Sequence, residues 1–377
     1  MRKPVLLTPG PTQVPEEVLA SASLPIMHHR TPQFEAIFEE AAENLKYIFQ
    51  TENPVIMLTS SGTGALESSV INLCSPGDKV IAVNGGKFGE RWIELCQTYN
   101  LDLVEITIPW HRTVKPEEIE KALQENPDAK VVFTTLSETS SGGVTDIEGI
   151  AKITRSSSAI LVVDAVSGLG VTPLYTDKWG VDVVVSGSQK GFMLPPGLAF
   201  ITMNEKARKA METSTLPKYY FDLKKAYKNA EKNTTPWTPA ISIIVQLNIA
   251  LRMMKEEGIE AIYARHHQLS EAIRQGVKAL GLTLYNEDTG DCCIAVNIPK
   301  GVDGGKFVKL ARDKYQVTFA GGQGSLKGNI FRISAMGNVG PNDVILGLAA
   351  IERVLADLGY SFEKGKGIAA AIDYLAK

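Results

Sequence analysis

The segment Val181-Asp-Val-Val-Val-Ser-Gly-Ser-Gln-Lys-Gly-Phe-Met-Leu-Pro-Pro-Gly-Leu-Ala-Phe-Ile-Thr202 reads as two apolar strands, Val181 to Val185 and Leu198 to Thr202, joined by a loop that carries one lysine. Lys190 falls where a buried strand gives way to loop, with small residues on one side and a rigid Pro-Pro-Gly turn on the other. Lysine carries a compact, strongly hydrated charge, so holding it inside needs a reason. Schiff-base chemistry is one; an ion pair with a carboxylate at the strand end is the other, and the segment alone does not choose between them.

The same kind of run recurs upstream. Val55 to Leu58, Val80 to Val83, Val131 to Thr135 and Ile160 to Val163 are short and β-branched, separated mostly by amphipathic helical stretches. Such alternation predicts an α/β fold with a mainly parallel sheet flanked by helices. Before it, Phe34, Ile37, Phe38, Ala41, Leu45 and Ile48 fall at helical spacing within Gln33 to Phe49. Thr8 to Pro15 is too rich in proline and glycine for helix or central strand, and reads as an extended arm of the kind that crosses onto a partner subunit. Helices are expected over Ile241 to Lys255 and Ile259 to Leu280, stopped by Gly258 and Gly281. Beyond them, strands at Leu282 to Tyr285, Ile294 to Ile298, Val317 to Ala320 and Ile330 to Ser334, with helices at Gly304 to Asp313 and Asp343 to Leu358, predict a second α/β unit. The chain therefore divides into an arm (1–14), a large domain (15–257) and a small carboxy-terminal domain (258–377), ending in an alanine-rich helix from Gly367. Its 377 residues suit that division, since single cores rarely grow so large.

A net charge of −3 gives no surplus basic field for nucleic acid or anionic lipid. Cys74, Cys96, Cys292 and Cys293 form no C-x-x-C pair, and no histidine stands at zinc-ligand spacing, so reduced thiols, a cytoplasmic location and no metal are expected. The amino terminus lacks the apolar core of a signal peptide, and the longest apolar stretch, Ala240 to Met254, is too short for a membrane span and reads as a core helix.

Four further stretches carry possible chemistry. Thr59-Ser-Ser-Gly-Thr-Gly-Ala-Leu-Glu67 leaves a strand and opens a helix, so its free N–H groups and helix dipole make an anion site; capping by Ser61 or Thr63 is the alternative reading. In Leu161-Val-Val-Asp-Ala-Val-Ser-Gly168, Asp164 ends an apolar strand at the carboxyl edge of the sheet, and a carboxylate buried there wants a cation: a protonated pyridine nitrogen, or a structural lysine or arginine. Asn84-Gly-Gly-Lys-Phe-Gly-Glu-Arg91 is a turn that can lay Phe88 against an aromatic ligand or simply bury it. Arg332, inside Gly328-Asn-Ile-Phe-Arg-Ile-Ser334, offers a planar fork for a carboxylate, or an ion pair, or a side chain that reaches out to water.

Taken in order, Ser-Gly-Thr-Gly, Val-Val-Asp-Ala-Val, Ser-Gly-Ser-Gln-Lys, Pro-Pro-Gly and Phe-Arg-Ile resemble the class V pyridoxal-phosphate aminotransferases, in particular the alanine-glyoxylate, serine-glyoxylate and serine-pyruvate branch. The resemblance runs from Pro9-Gly-Pro to Asn338 and implies the fold type I architecture of pyridoxal-phosphate transferases. It makes Lys190 the lysine that condenses with the cofactor aldehyde and Asp164 the partner of the ring nitrogen. It places Phe88 on one ring face and Val166 on the other, Ser61, Gly62, Thr63 and Gln189 on the phosphate, and Thr139 at the ring hydroxyl. Thr235 and Thr238 match a segment that reaches the neighbouring subunit's phosphate, which implies a homodimer with shared sites, and Arg332 matches the arginine for the substrate carboxylate.

Transamination between serine or alanine and glyoxylate or pyruvate is the activity this branch implies. Arg30, in His28-His-Arg-Thr-Pro, keeps an aspartate or phosphoserine specificity open. Cysteine desulfurases and related lyases share the fold, but they place histidines where Gln189 and Phe88 stand, and a cysteine on a loop that here reads Ala320-Gly-Gly-Gln-Gly-Ser-Leu-Lys-Gly328. Cys292 and Cys293, flanking an apolar strand, read as core or edge residues. Some relatives carry the label of soluble hydrogenase small subunit, a partner protein; the ungrouped cysteines speak against iron-sulfur ligation.

Overall fold

The computed structural model describes residues 5–376. A central sheet is built from β1 (Val55–Ser60), β2 (Lys79–Asn84), β3 (Asp102–Thr107), β4 (Val131–Thr135), β5 (Ile160–Asp164), β6 (Val183–Gly187) and β7 (Gly197–Met203), in spatial order β1-β7-β6-β5-β4-β2-β3. Strand β7 is antiparallel to both neighbours and the other pairs are parallel. The strands read as unbroken apolar runs because both faces are covered. Val132, Leu161, Val163 and Val184 belong to one core, and Val131, Phe133, Val162 and Val183 to the other. Trp92 stacks on Phe133 at 4.7 Å in the second.

Local signals set the helix ends. In Pro32–Phe49 the Thr31 hydroxyl accepts from the Phe34 N–H, proline fills the first turn, and Gln50 closes the helix with φ 53°. The stretch read as a core helix is Ile241–Glu257, with Leu247, Ala250, Leu251 and Met254 buried. No helix among the described residues is long and apolar enough to cross a membrane. In helix Ile259–Ala279, Ile262 and Tyr263 pack into the large core, whereas Leu269, Ile273 and Val277 pack into the small one. The last helix, Lys366–Leu375, has its first amides capped by Glu352, which accepts from Gly365, Gly367 and Ile368.

The carboxy-terminal unit holds a three-stranded antiparallel sheet of β8 (Ile294–Asn297), β9 (Ala320–Gly321) and β10 (Ile330–Ile333), in order β8-β10-β9. Two expectations need correction. Leu282 to Tyr285 is not a strand; Leu284 makes a single bridge to Val296. Val317 to Ala320 is two pairings, Val317–Thr318 with Val5–Leu6 and β9 with β10. The extended arm is tied to its own chain by that first pairing and by Leu7, which is wholly buried in the small core. Strand β3 was not legible, because Asp102-Leu-Val-Glu-Ile-Thr107 lies on the sheet edge and leaves Asp102, Glu105 and Thr107 exposed.

Candidate active site

All the parallel strands of the sheet end on one edge, and the chain leaves that edge through Ser61, Gly85, Leu136, Ala165 and Ser188. Spatial order reverses chain order there, as at the ligand-binding crevice of open α/β sheets. The Lys190 side chain is 8 % exposed. Its ammonium donates to the Pro9 carbonyl, and Nζ stands 6.0 Å from the centre of the Phe88 ring. Thr12 Oγ1 donates to the Lys190 carbonyl at 3.0 Å, so the arm grips the lysine at both ends. Gly10 has φ +109°, and a Cβ there would collide with the lysine side chain.

Asp164 ends β5 between Thr135 of β4 and Val185 of β6. Its Oδ1 accepts from the Val166 N–H at 2.8 Å, and no ion pair to a described residue neutralises it. Burial pushes its pKa up to about 6, Glu138 adds to the rise, and the Val166 amide, Arg91 and Lys190 oppose it. A cation placed against this carboxylate would bring the value down again.

Ser61 stands at the N-cap of helix Gly62–Leu73, yet no side chain caps that helix. Ser61 and Thr63 are exposed, and although the Gly64 N–H turns back to the Ser61 carbonyl at 2.8 Å, the Gly62 and Thr63 amides at the helix start are left to hold an anion. Gly62 packs flat on Val166, whose Cγ2 lies 2.6 Å from where a Cβ would be. A Cβ on Gly187 would meet Gln189 Oε1 and the Gly62 nitrogen at 3.3 Å, so these backbones form a cradle beside Gln189. Gln189 Oε1 is buried with no hydrogen-bond partner. A helix N-terminus with amides to spare, a glutamine whose side-chain NH2 can donate, a carboxylate wanting a cation and an aromatic ring beside a buried lysine are groups that pyridoxal phosphate needs, and the residues fit it.

Arg332, on β10, is 6 % exposed. Nε donates to the Gly321 carbonyl at 2.9 Å and Nη1 to the Thr139 carbonyl at 2.8 Å, and no carboxylate of the described residues pairs with it. Cys293 donates to the same Thr139 carbonyl at 3.5 Å, and burial raises the Cys292 and Cys293 thiols to about 11 and 12. Neither is a ready nucleophile. Thr235 and Thr238 stand apart from this cluster. Thr235 Oγ1 donates to the Trp237 carbonyl, and the segment lies on Thr59, lining a cleft of about 580 Å³ along the edge strand β1 that neither Lys190, Asp164 nor Arg332 reaches. Arg30 is exposed. Sequence reasoning missed two participants. One is the Pro9 to Thr12 clasp on Lys190, signalled only by a Pro-Gly-Pro unfit for regular structure; the other is Glu138, treated below.

Burial lowers the Lys190 pKa to about 8, with Arg332 adding to the fall and Cys293, Asp164 and Cys292 resisting it. Only the neutral amine attacks an aldehyde. In the cofactor-free protein, pyridoxal phosphate uptake should therefore accelerate about tenfold per pH unit and level off near pH 8. A rate still climbing at pH 10 would contradict the assignment. Because the unfolded lysine keeps its proton up to 10.5, the fold should also gain stability as pH rises from about 8 towards 10.5.

The sheet edge and its residues accord with an aminotransferase, and the comparison with known proteins shows the family: the aminotransferase class-V family model matches residues 5–335, and the chain belongs to that family. It is thus a transaminase, and the family implies the cofactor. The chain is 43% identical to the soluble hydrogenase small subunit of a Synechococcus species, over 98% of this chain and 97% of that one. It is 36% identical to the L-aspartate–glyoxylate aminotransferase of Paracoccus denitrificans, over 98% and 95%. Among solved structures it resembles the alanine–glyoxylate aminotransferase of a Nostoc species, with a TM-score of 0.90, 30% identity and coverage of 94% and 96%.

Proposed function

We propose that the protein moves the amino group of a small amino acid, serine or alanine, to a small 2-oxo acid, glyoxylate or pyruvate, with pyridoxal 5'-phosphate at Lys190. The observation that carries this reading is a buried lysine, an unpaired buried carboxylate and a free helix N-terminus on one sheet edge, with the Arg332 fork beside them. When bound, the cofactor supplies the electron sink that stabilises a carbanion at the substrate α-carbon. With the cofactor in place, Lys190 Nζ would take up the proton from that carbon and give it back. Asp164 would hold the ring nitrogen protonated, Ser61, Gly62, Thr63 and Gln189 would hold the phosphate, Thr139 would meet the ring hydroxyl, and Phe88 and Val166 would cover the ring faces. Arg332 holds the carboxylate that donor and acceptor share.

A homodimer with shared sites belongs to this proposal. Thr235 and Thr238 have no cofactor site of their own chain within their contacts, and Leu24, Ile26 and Tyr219 expose 63%, 73% and 71% of their surface, apolar side chains that a second copy could cover. A cytoplasmic location accords with four free thiols. The Paracoccus relative's name favours a second donor, aspartate. Its distal carboxylate would need another cation, and Arg91, 5.2 Å from the centre of the Phe88 ring, is one that the structure brings to the site. The Synechococcus relative's name favours a hydrogenase subunit, a reading that leaves the Lys190 and Asp164 arrangement without a purpose.

A donor and acceptor screen that follows the absorbance of the bound cofactor tests the reading. Serine or alanine should convert the spectrum to the amine form, and glyoxylate or pyruvate should restore it. Conversion by aspartate alone would move the assignment to that donor, and release of sulfide from cysteine with no response to serine or alanine would make it a lyase. Run across a dilution series, the same screen should lose activity per chain as the dimer separates; full activity in a monomer would refute the shared site.

A further inference from the structure

Glu138, 5 % exposed, is a buried carboxylate at this sheet edge that the proposed chemistry leaves without a part. It lies in the short strand Ser137–Glu138, paired with Gly143–Val144. Its Oε2 accepts from the backbone N–H groups of Phe88 and Gly89, each at 3.0 Å. Its Oε1 accepts from the Ser140 N–H at 3.1 Å and from the Ser140 hydroxyl. Phe88 is the N-cap of helix Gly89–Thr98, so both upper donors are amides that a helix start leaves unpaired, and a carboxylate also meets the positive end of that helix. Ser140 Oγ in turn accepts from the Lys87 N–H at 3.0 Å, so three successive amides, Lys87, Phe88 and Gly89, are pinned to one turn. Gly86 leaves no room for adjustment, since a Cβ there would lie 2.6 Å from Ser140 Oγ and run into Glu138. The next residue along, Thr139, gives its carbonyl to Arg332. A single turn thus ties the ring-stacking residue to the carboxylate-binding residue.

We propose that Glu138 is a positioning residue of the active site, whose buried carboxylate clamps the Phe88 turn so that the aromatic ring is held at a fixed place beside Lys190 and in register with Arg332. The role rests on the aminotransferase reading, because it acts through the ring that covers the cofactor. Burying a charge is costly without donors, and four donors converge on this one. Glutamine can reproduce only half of the pattern. If its carbonyl faces the Phe88 and Gly89 amides, its NH2 group faces Ser140, where the hydroxyl can turn to accept but the N–H is opposed.

The test uses the full chain, stripped of cofactor and reloaded with pyridoxal phosphate, as parent, Glu138→Gln, Phe88→Leu and the double variant. Glu138→Gln should speed hydrogen exchange at Lys87 to Gly89 in the cofactor-free protein, leave the helix Ile241–Glu257 unchanged, and weaken pyridoxal phosphate binding by about tenfold, the scale of one charged hydrogen bond. Phe88→Leu should weaken binding comparably, and the double variant should be hardly worse than either single one, because both act on the same ring. Parent-like exchange and binding in Glu138→Gln, or binding losses that simply multiply in the double variant, overturn the proposal. A parent chain that takes up no pyridoxal phosphate overturns the aminotransferase reading and this role together, whereas a parent that binds normally beside indifferent variants overturns this role alone.

Discussion

Lys190→Ala should cost at least about 10⁴-fold in transamination, because it removes the residue proposed to move the proton at the substrate α-carbon as well as the amine that anchors the cofactor. The fold should not suffer. The lysine is buried with its pKa lowered to about 8, so its charged form is disfavoured inside, and alanine relieves that strain while vacating the space against Gly10. The measurement is single-turnover conversion of the cofactor spectrum by the best donor, beside a thermal melt. A variant that turns over within tenfold of the parent, with an unchanged melt, would place the chemistry elsewhere.

Arg332→Ala should weaken the amino donor and the oxo acceptor alike by about 10- to 150-fold in apparent affinity, the loss of about 1.5 to 3 kcal/mol for hydrogen bonds to a charged partner. Parallel losses are the signature, since both substrates present the same carboxylate. Arg332→Lys keeps a charge but loses the fork, so it should recover only part of the affinity. The guanidinium also serves the Gly321 and Thr139 carbonyls, and either variant leaves those two acceptors short of a donor. A small fall in melting temperature accompanies the affinity loss for that reason, and should be the same whichever substrate is tested. An effect confined to one substrate would assign Arg332 to a distal group rather than to the shared carboxylate.

Most of the central sheet was legible because its strands are unbroken apolar runs between helical stretches with caps and glycine stops, and both features are local. β3 escaped because an edge strand needs no apolar face, and its charged residues imitate a loop. Leu282 to Tyr285 has the composition of a strand but only one bridge, so composition overstated it. At the site, Lys190, Asp164, Gly62, Val166, Gln189 and Phe88 come together because each ends or follows a strand that stops on the same edge. Glu138 was passed over because a glutamate between hydroxyl residues looks like solvated loop; its burial follows from which amides happen to face it, and spacing does not encode that. The role proposed for Thr235 and Thr238 requires a second chain, so a single sequence names them only through the family resemblance.

The most direct measurement is borohydride reduction of the purified protein followed by peptide mapping. If the account is right, one pyridoxyl group per chain becomes fixed, and it lies on Lys190 in the peptide that contains Ser186-Gly-Ser-Gln-Lys-Gly. A label on another lysine, or no label from a protein supplied with pyridoxal phosphate, would contradict it.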